Sequence, residues 1–159
     1  MTALYVCDEG TYFRATDAAI LLRARQLVAK KFTRRSSPLL APADVRDYLS
    51  LYLQPYDYEV FGLIHLDTRH RVIAVEELFR GTVNQAIVYR REIVKSVLQH
   101  NTSAVILFHN HPTGMAEPSP ADESLTKRLK ELFEMLDITL LDHIIVADAS
   151  YSFSEHGLL

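Results

Sequence analysis

Apolar runs in this 159-residue chain are short and are broken by polar segments carrying proline or glycine; the spacing inside each run predicts its element. Ala19, Ile20, Leu22, Leu27, Val28 and Phe32 loosely follow a helical period, which predicts a helix from Thr16 to Phe32 with Thr16 as its cap. Ser36-Ser37-Pro38 and Ala41-Pro42 predict a loop, and Ala43 to Leu53 a short helix ended by Pro55. EVFGLIHL, from Glu59 to Leu66, and the stretch Arg71 to Phe79 flank a polar turn at Asp67-Thr68-Arg69-His70, which predicts a hairpin. After a turn at Gly81-Thr82, Ala86 to Tyr89 reads as a third strand and Arg91 to His100 as a helix with Ile93 and Val97 inward. The continuous run Ala104 to Phe108 predicts a strand covered on both faces. Leu125, Leu129, Leu132, Phe133 and Leu136 predict an amphipathic helix over Ala121 to Leu136. Ile138 to Leu141, His143 to Ala147 and Tyr151 to Ser154 read as strands. This order predicts an α/β fold, a mixed sheet with helices packed on it.

Composition narrows the class without naming a function. The chain is 48% hydrophobic and 23% charged, which excludes a largely disordered or low-complexity polypeptide. No run approaches the roughly 18 apolar residues of a membrane span, and Met1 to Gly10 lacks the pattern of a signal peptide. A single cysteine, Cys7, permits no internal disulfide and fits a cytoplasmic setting. The net charge of -3 divides unevenly: residues 1–56 carry 8 basic and 5 acidic side chains (+3), and residues 57–159 carry 9 and 15 (-6). Arg23, Arg25, Lys30, Lys31, Arg34 and Arg35 hold the excess; they read as a solvated helix face plus linker or, alternatively, as a nucleic-acid patch. The expected organisation is an N-terminal basic helical arm and linker over 1–41 and a main domain over 42–159.

The informative chemistry lies in His109-Asn110-His111-Pro112. Histidines at i and i+2 at a strand end share one face, so their imidazoles can converge on one cation while Asn110 points away. Eleven positions beyond His111, in the first turn of the next helix, comes Asp122. Two imidazoles and a carboxylate suit a catalytic zinc with a fourth position left for water. Asp122 also suits a helix start, with Ser119 as cap and Pro120 at the first position, and the two readings are compatible. A hydrolase needs a base: Glu59 opens the first strand of the domain, with Glu76 and Glu77 as rivals. Ser119 could donate to a developing oxyanion. His65, inside an apolar strand, and His143, beside Asp142, read as core or rim histidines rather than ligands.

In order, Glu59-x-x-Gly62, His109-x-His111-Pro112, Ser119 and Asp122 resemble the JAMM (MPN+) zinc-hydrolase signature. LDTRHRVIAVEELFRGTVNQA, HNHPTG with EPSPAD, and LLDHIIV with SFSEHGLL resemble the RadC family, a bacterial branch of the JAMM-domain proteins. The similarity spans roughly residues 57–159. It implies an α/β/α sandwich like that of cytidine deaminases. It also implies one zinc on His109, His111 and Asp122, with Glu59 as general acid/base and Ser119 as oxyanion helper. JAMM relatives cleave peptide or isopeptide bonds, so a protein or peptide substrate is implied. RadC-like proteins carry a DNA-repair label, which makes a non-catalytic DNA-repair or recombination module the alternative. Residues 1–56 show no helix-hairpin-helix signature of the longer RadC proteins, so the chain resembles a short form. Tyr89-Arg90 stands where the family often has His-Pro, a change expected at the cleft rim. A nucleobase deaminase is disfavoured because its Cys-x-x-Cys pair is missing, and no His-Glu-x-x-His motif occurs.

Overall fold

The computed structural model describes residues 4–8, 10–32, 42–81 and 88–159. A five-stranded mixed sheet carries helices on both faces, which is the α/β/α arrangement. Two short strands, β1 (Tyr5–Asp8) and β2 (Thr11–Arg14), form a separate antiparallel pair with Gly10 at φ 82 between them. Hydrophobic alternation does not reveal this pair: β2 is exposed at every position, so neither strand face has a core to mark it. Helix α1 (Asp17–Phe32) follows, with the Thr16 hydroxyl accepting from the backbone N–H of Ala19 at 3.2 Å. The side chain of Arg25 reaches Gln54, tying one of the basic residues to the turn that follows the next helix. The expected loop over Ser36-Ser37-Pro38 and Ala41 lies outside the described residues, as do Arg34, Arg35 and the Thr82 turn position; Pro42 itself opens α2 (Pro42–Leu53).

Strands β3 (Val60–Leu66) and β4 (Val72–Arg80) form the expected hairpin. Next come α3 (Arg90–Gln99), β5 (Ala104–Asn110), α4 (Pro120–Glu134), β6 (Thr139–Val146) and β7 (Ser150–Ser152). The sheet order is β4-β3-β5-β6-β7, antiparallel except between β5 and β6, whose parallel pairing α4 makes possible as the crossover.

Two expectations change. Of the third strand read over Ala86 to Tyr89, residues 86 and 87 are outside the described residues; Val88 and Tyr89 are irregular, and Tyr89 is the N-terminal cap residue of α3. Ile138–Leu141 and His143–Ala147 are not two strands: β6 continues through Asp142, with a register shift against β5 at Leu141. Asp142 is buried, and its carboxylate accepts from the N–H of His143 (2.7 Å), the N–H of Ser154 (3.0 Å) and the hydroxyl of Ser152 (2.6 Å). A polar residue that breaks the apolar run in the sequence is thereby satisfied inside the strand.

Strand alternation sorts the core into two layers. Val60, Ile64, Leu66, Ile106, Phe108, Ile144 and Val146 pack beneath Val45, Tyr48, Leu49 and Leu53 of α2. On the other face Phe61, Leu63, Val105 and Leu107 pack against Ile93 and Val97 of α3 and Leu129 and Phe133 of α4. All seven positions of β3 and of β5 are buried, the polar His65, His109 and Asn110 along with the apolar residues. Continuing the alternation of β5, His109 falls on the α3/α4 face and Asn110 on the α2 face. Gly62 is required by a close approach: a Cβ there would overlap the Phe108 ring and the carbonyl oxygen of Glu76.

Candidate metal centre

Strand β5 extends two residues beyond the apolar run because His109 and Asn110 still pair with Ile145 and Val146 of β6; the N–H of His111 then bonds Val146 O at 2.8 Å. Asn110 turns to the other face, accepting from Val60 N–H at 2.7 Å and donating to Tyr58 O at 3.0 Å, which ties the mouth of β3 to the end of β5. The two histidine rings lie 4.7 Å apart with planes at 60°.

Across from them, α4 begins with a capping box: Ser119 Oγ accepts from the N–H of Asp122 at 3.2 Å, and Asp122 Oδ2 accepts from the N–H of Ser119 at 2.8 Å. The Ser119 hydroxyl also donates to Asp122 Oδ2 at 2.5 Å. Capping and site geometry coincide, because these bonds turn the Asp122 carboxylate toward the histidines. His109 Nε2 lies 2.9 Å from His111 Nε2 and 3.4 Å from Asp122 Oδ1; His111 Nε2 lies 3.7 Å from Asp122 Oδ2. All three donor atoms fall within 4.8 Å of one another.

This donor set fits a divalent ion. A tetrahedron with bonds of about 2.0–2.1 Å separates its ligand atoms by roughly 3.3 Å; the two imidazole nitrogens lie 2.9 Å apart, and each has a carboxylate oxygen of Asp122 at 3.4 Å (Oδ1, from His109) or 3.7 Å (Oδ2, from His111). His111 donates its Nδ1–H to the carbonyl of Met115 at 2.8 Å, so its neutral form presents an Nε2 lone pair to the cluster. For His109 and Asp122 protonation favours the same conclusion. Burial pushes His109 down to about 4, leaving a neutral imidazole. For Asp122 burial works to raise the carboxyl, but His111, His109 and Ser119 outweigh it and hold the group well below the usual carboxylate range. The Asp122 carboxylate beside it raises His111 against partial burial.

Glu59 immediately precedes β3; Phe61 pairs with His109, so the antiparallel register carries Glu59 toward His111, whose pKa it helps to raise. The rival glutamates are engaged elsewhere. Glu77 accepts from Tyr52 at 2.8 Å, from Tyr56 and from Arg80 at 3.0 Å; burial raises its pKa, but these partners outweigh burial and lower it overall. Glu76 accepts from Ser96 and faces His65 and His100. Sequence reading misses two contributors. His143 is the buried, satisfied histidine expected, but its partner is not legible: its Nε2 meets His109 Nδ1 at 2.8 Å, and Thr126 bonds its Nδ1 at 2.6 Å. Thr126 follows Asp122 by four positions on one helix, a spacing that signals proximity, whereas the β5–β6 pairing that delivers His143 leaves no local mark. Tyr89, at the expected rim, is exposed and is linked to the site by tilted ring contacts through Phe79 and Phe61, whose ring stacks 6.2 Å from His109.

A mixed sheet bearing a His-x-His strand end against a Ser-x-x-Asp helix start defines a JAB-type domain with a potential metal centre. The family model for the RadC-like JAB domain matches residues 39–158, and the chain belongs to the RadC family. It is 48% identical over 141 residues to a UPF0758 protein of Thioalkalivibrio sulfidiphilus (89% of this chain, 63% of the relative). It is 51% identical over 152 residues to one of Methylibium petroleiphilum (94% and 68%). A third, from Nitrosococcus oceani, is 54% identical over 127 residues (79% and 57%). The chain thus spans 57–68% of the length of these curated relatives. Among the described residues no helix is long and apolar enough to cross a membrane.

Proposed function

We propose that this domain is a zinc-dependent hydrolase of amide bonds, acting on a peptide or isopeptide linkage in a protein or peptide substrate. The observation that carries the reading is the convergence of His109 Nε2, His111 Nε2 and the Asp122 carboxylate, with Glu59 at the adjoining strand mouth. Two nitrogen donors and one oxygen donor suit zinc better than calcium or magnesium, which take oxygen ligands. When bound, the ion supplies a Lewis acid that acidifies water and polarises a carbonyl. His109 and His111 bind through neutral imidazole nitrogens, and Asp122 contributes the negative charge. Glu59 takes the proton from the attacking water and returns it to the departing amine. Ser119 assists at the oxyanion by turning its hydroxyl proton from Asp122 to the substrate oxygen.

Metal analysis of the purified protein, paired with hydrolysis of a panel of peptide and lysine-isopeptide substrates, tests the proposal. One zinc per chain and turnover that drops at least roughly a hundredfold in Glu59→Gln, with zinc retained, are expected. A Glu59→Gln protein that keeps both zinc and full turnover removes the assigned base. A zinc-loaded protein without turnover, but with salt-sensitive binding to duplex DNA, would instead favour a non-catalytic module.

A further inference from the structure

His143 is fully buried, is read by sequence alone as a core or rim residue, and has no part in the hydrolysis scheme above. Its ring is held on both sides. Phe153 stacks on it at 4.7 Å with planes 23° apart, and Phe61 meets it edge-on at 5.9 Å. Its two nitrogens face defined partners, and the protons along that line can be counted from a fixed end. The backbone carbonyl of Asp122 can only accept, so the Thr126 hydroxyl, 2.6 Å away, donates its single proton there. Thr126 Oγ1 must then accept from His143 Nδ1–H at 2.6 Å. Neutral His143 therefore has a bare Nε2, and that lone pair accepts the Nδ1–H of His109 at 2.8 Å. With its Nδ1 proton committed, His109 presents a lone pair at Nε2 to the cluster.

We propose that His143 and Thr126 are positioning residues that lock His109 into its metal-ligating tautomer, using the backbone carbonyl of Asp122 as the anchor of the relay. The proposal rests on the metal reading above and deepens it. One ligand residue, Asp122, sets the tautomer of another, His109, through two side chains that touch no substrate. A reversed His143 would offer Nε2–H to His109, transfer the lone pair of His109 to Nδ1 and turn an N–H toward the ion position. The arrangement extends a general habit of metal-ligating histidines, whose second nitrogen donates to a fixed acceptor. Here that acceptor is itself a histidine, so its orientation has to be fixed in turn.

The first test needs no metal. In chelator-treated protein labelled with 15N-histidine, long-range proton–nitrogen correlation at neutral pH should show His109 and His143 both as Nδ1–H tautomers. A His109 found as the Nε2–H tautomer overturns the proposal. The second test is zinc titration against a chromophoric chelator. Thr126→Val, nearly the same shape without the hydroxyl, should weaken zinc binding roughly tenfold to a hundredfold. Thr126→Ser should restore it, a rescue that a role in packing alone would not give. Wild-type protein that binds zinc while Thr126→Val binds it equally tightly overturns the relay and leaves the metal reading standing. Wild-type protein that takes up no zinc, with the tautomers as expected, overturns the metal reading and, with it, the ligating role of His109.

Discussion

Two histidine clusters among the described residues sit at opposite ends of the same sheet face, and they aim their nitrogens differently. Besides His109, His111 and Asp122, the side chains of His65, Glu76 and His100 also bring three donor atoms within 4.8 Å. Residue types and separations are alike: His65 Nε2 lies 3.4 Å and His100 Nδ1 3.9 Å from Glu76 Oε2. The difference lies behind the rings. His65 and His100 stack at 4.3 Å with planes only 20° apart, so no nearby point lies in both ring planes, where the lone pairs point. Ser96 gives its hydroxyl proton to Glu76, so Ser96 Oγ accepts from His65 Nε2–H, and the Thr102 hydroxyl serves His65 Nδ1 at 2.8 Å. His100 Nδ1–H donates to the carbonyl of Ser96 at 3.0 Å. This cluster aims a proton inward, whereas the other aims lone pairs inward because its ring N–H groups donate outward. A metal site is thus specified by the acceptors behind the ligands as much as by the ligands themselves.

The largest effect should come from the ligands. Asp122→Asn or His109→Ala should abolish stoichiometric zinc, weakening affinity by more than the roughly hundredfold that a lost supporting contact costs. His65→Gln should leave one zinc per chain. Equal zinc loss in both clusters' variants, read by metal analysis after dialysis, would erase the distinction. A smaller effect tests the frame that carries both sites. Gly62→Ala places a methyl against the Phe108 ring and the Glu76 carbonyl, and the backbone partner cannot swing aside. It should destabilise the fold by about 3 kcal/mol in urea unfolding. Because Phe61, the residue before it, pairs with His109, the same variant should also loosen zinc.

That His109, His111 and Asp122 come together was legible because the parts of this cluster are local. His109 and His111 share a face by strand period, and Ser119-Pro120-Ala121-Asp122 announces a helix start that delivers a carboxylate. The central strand was legible from its apolar run, and α4 from its buried stripe. What escaped depended on partners distant in sequence. Asp142 looked like a strand break because the groups that satisfy it, at Ser152 and Ser154, lie ten or more residues on. His143 reaches His109 only through the parallel pairing of β5 with β6. The β1–β2 pair carries no buried stripe to reveal it.

The smallest effect separates the clusters by pH. Burial, reinforced by neighbouring His100, pushes His65 down to about 4 from an ordinary value near 6.5. The unfolded chain therefore takes up this proton first as pH falls. The contribution of a neutral His65 to stability is whole above about pH 7, is lost progressively between 6.5 and about 4, and is level below that. His65→Gln keeps hydrogen-bonding capacity but cannot titrate. In metal-free protein the gap between wild-type and variant urea midpoints should change over that interval by an amount equivalent to on the order of 2 kcal/mol. A gap constant from pH 7 to 4 would mean that His65 titrates alike in the folded and unfolded chain. The inward-facing proton that sets this cluster apart from that of His109, His111 and Asp122 would then have no energetic consequence.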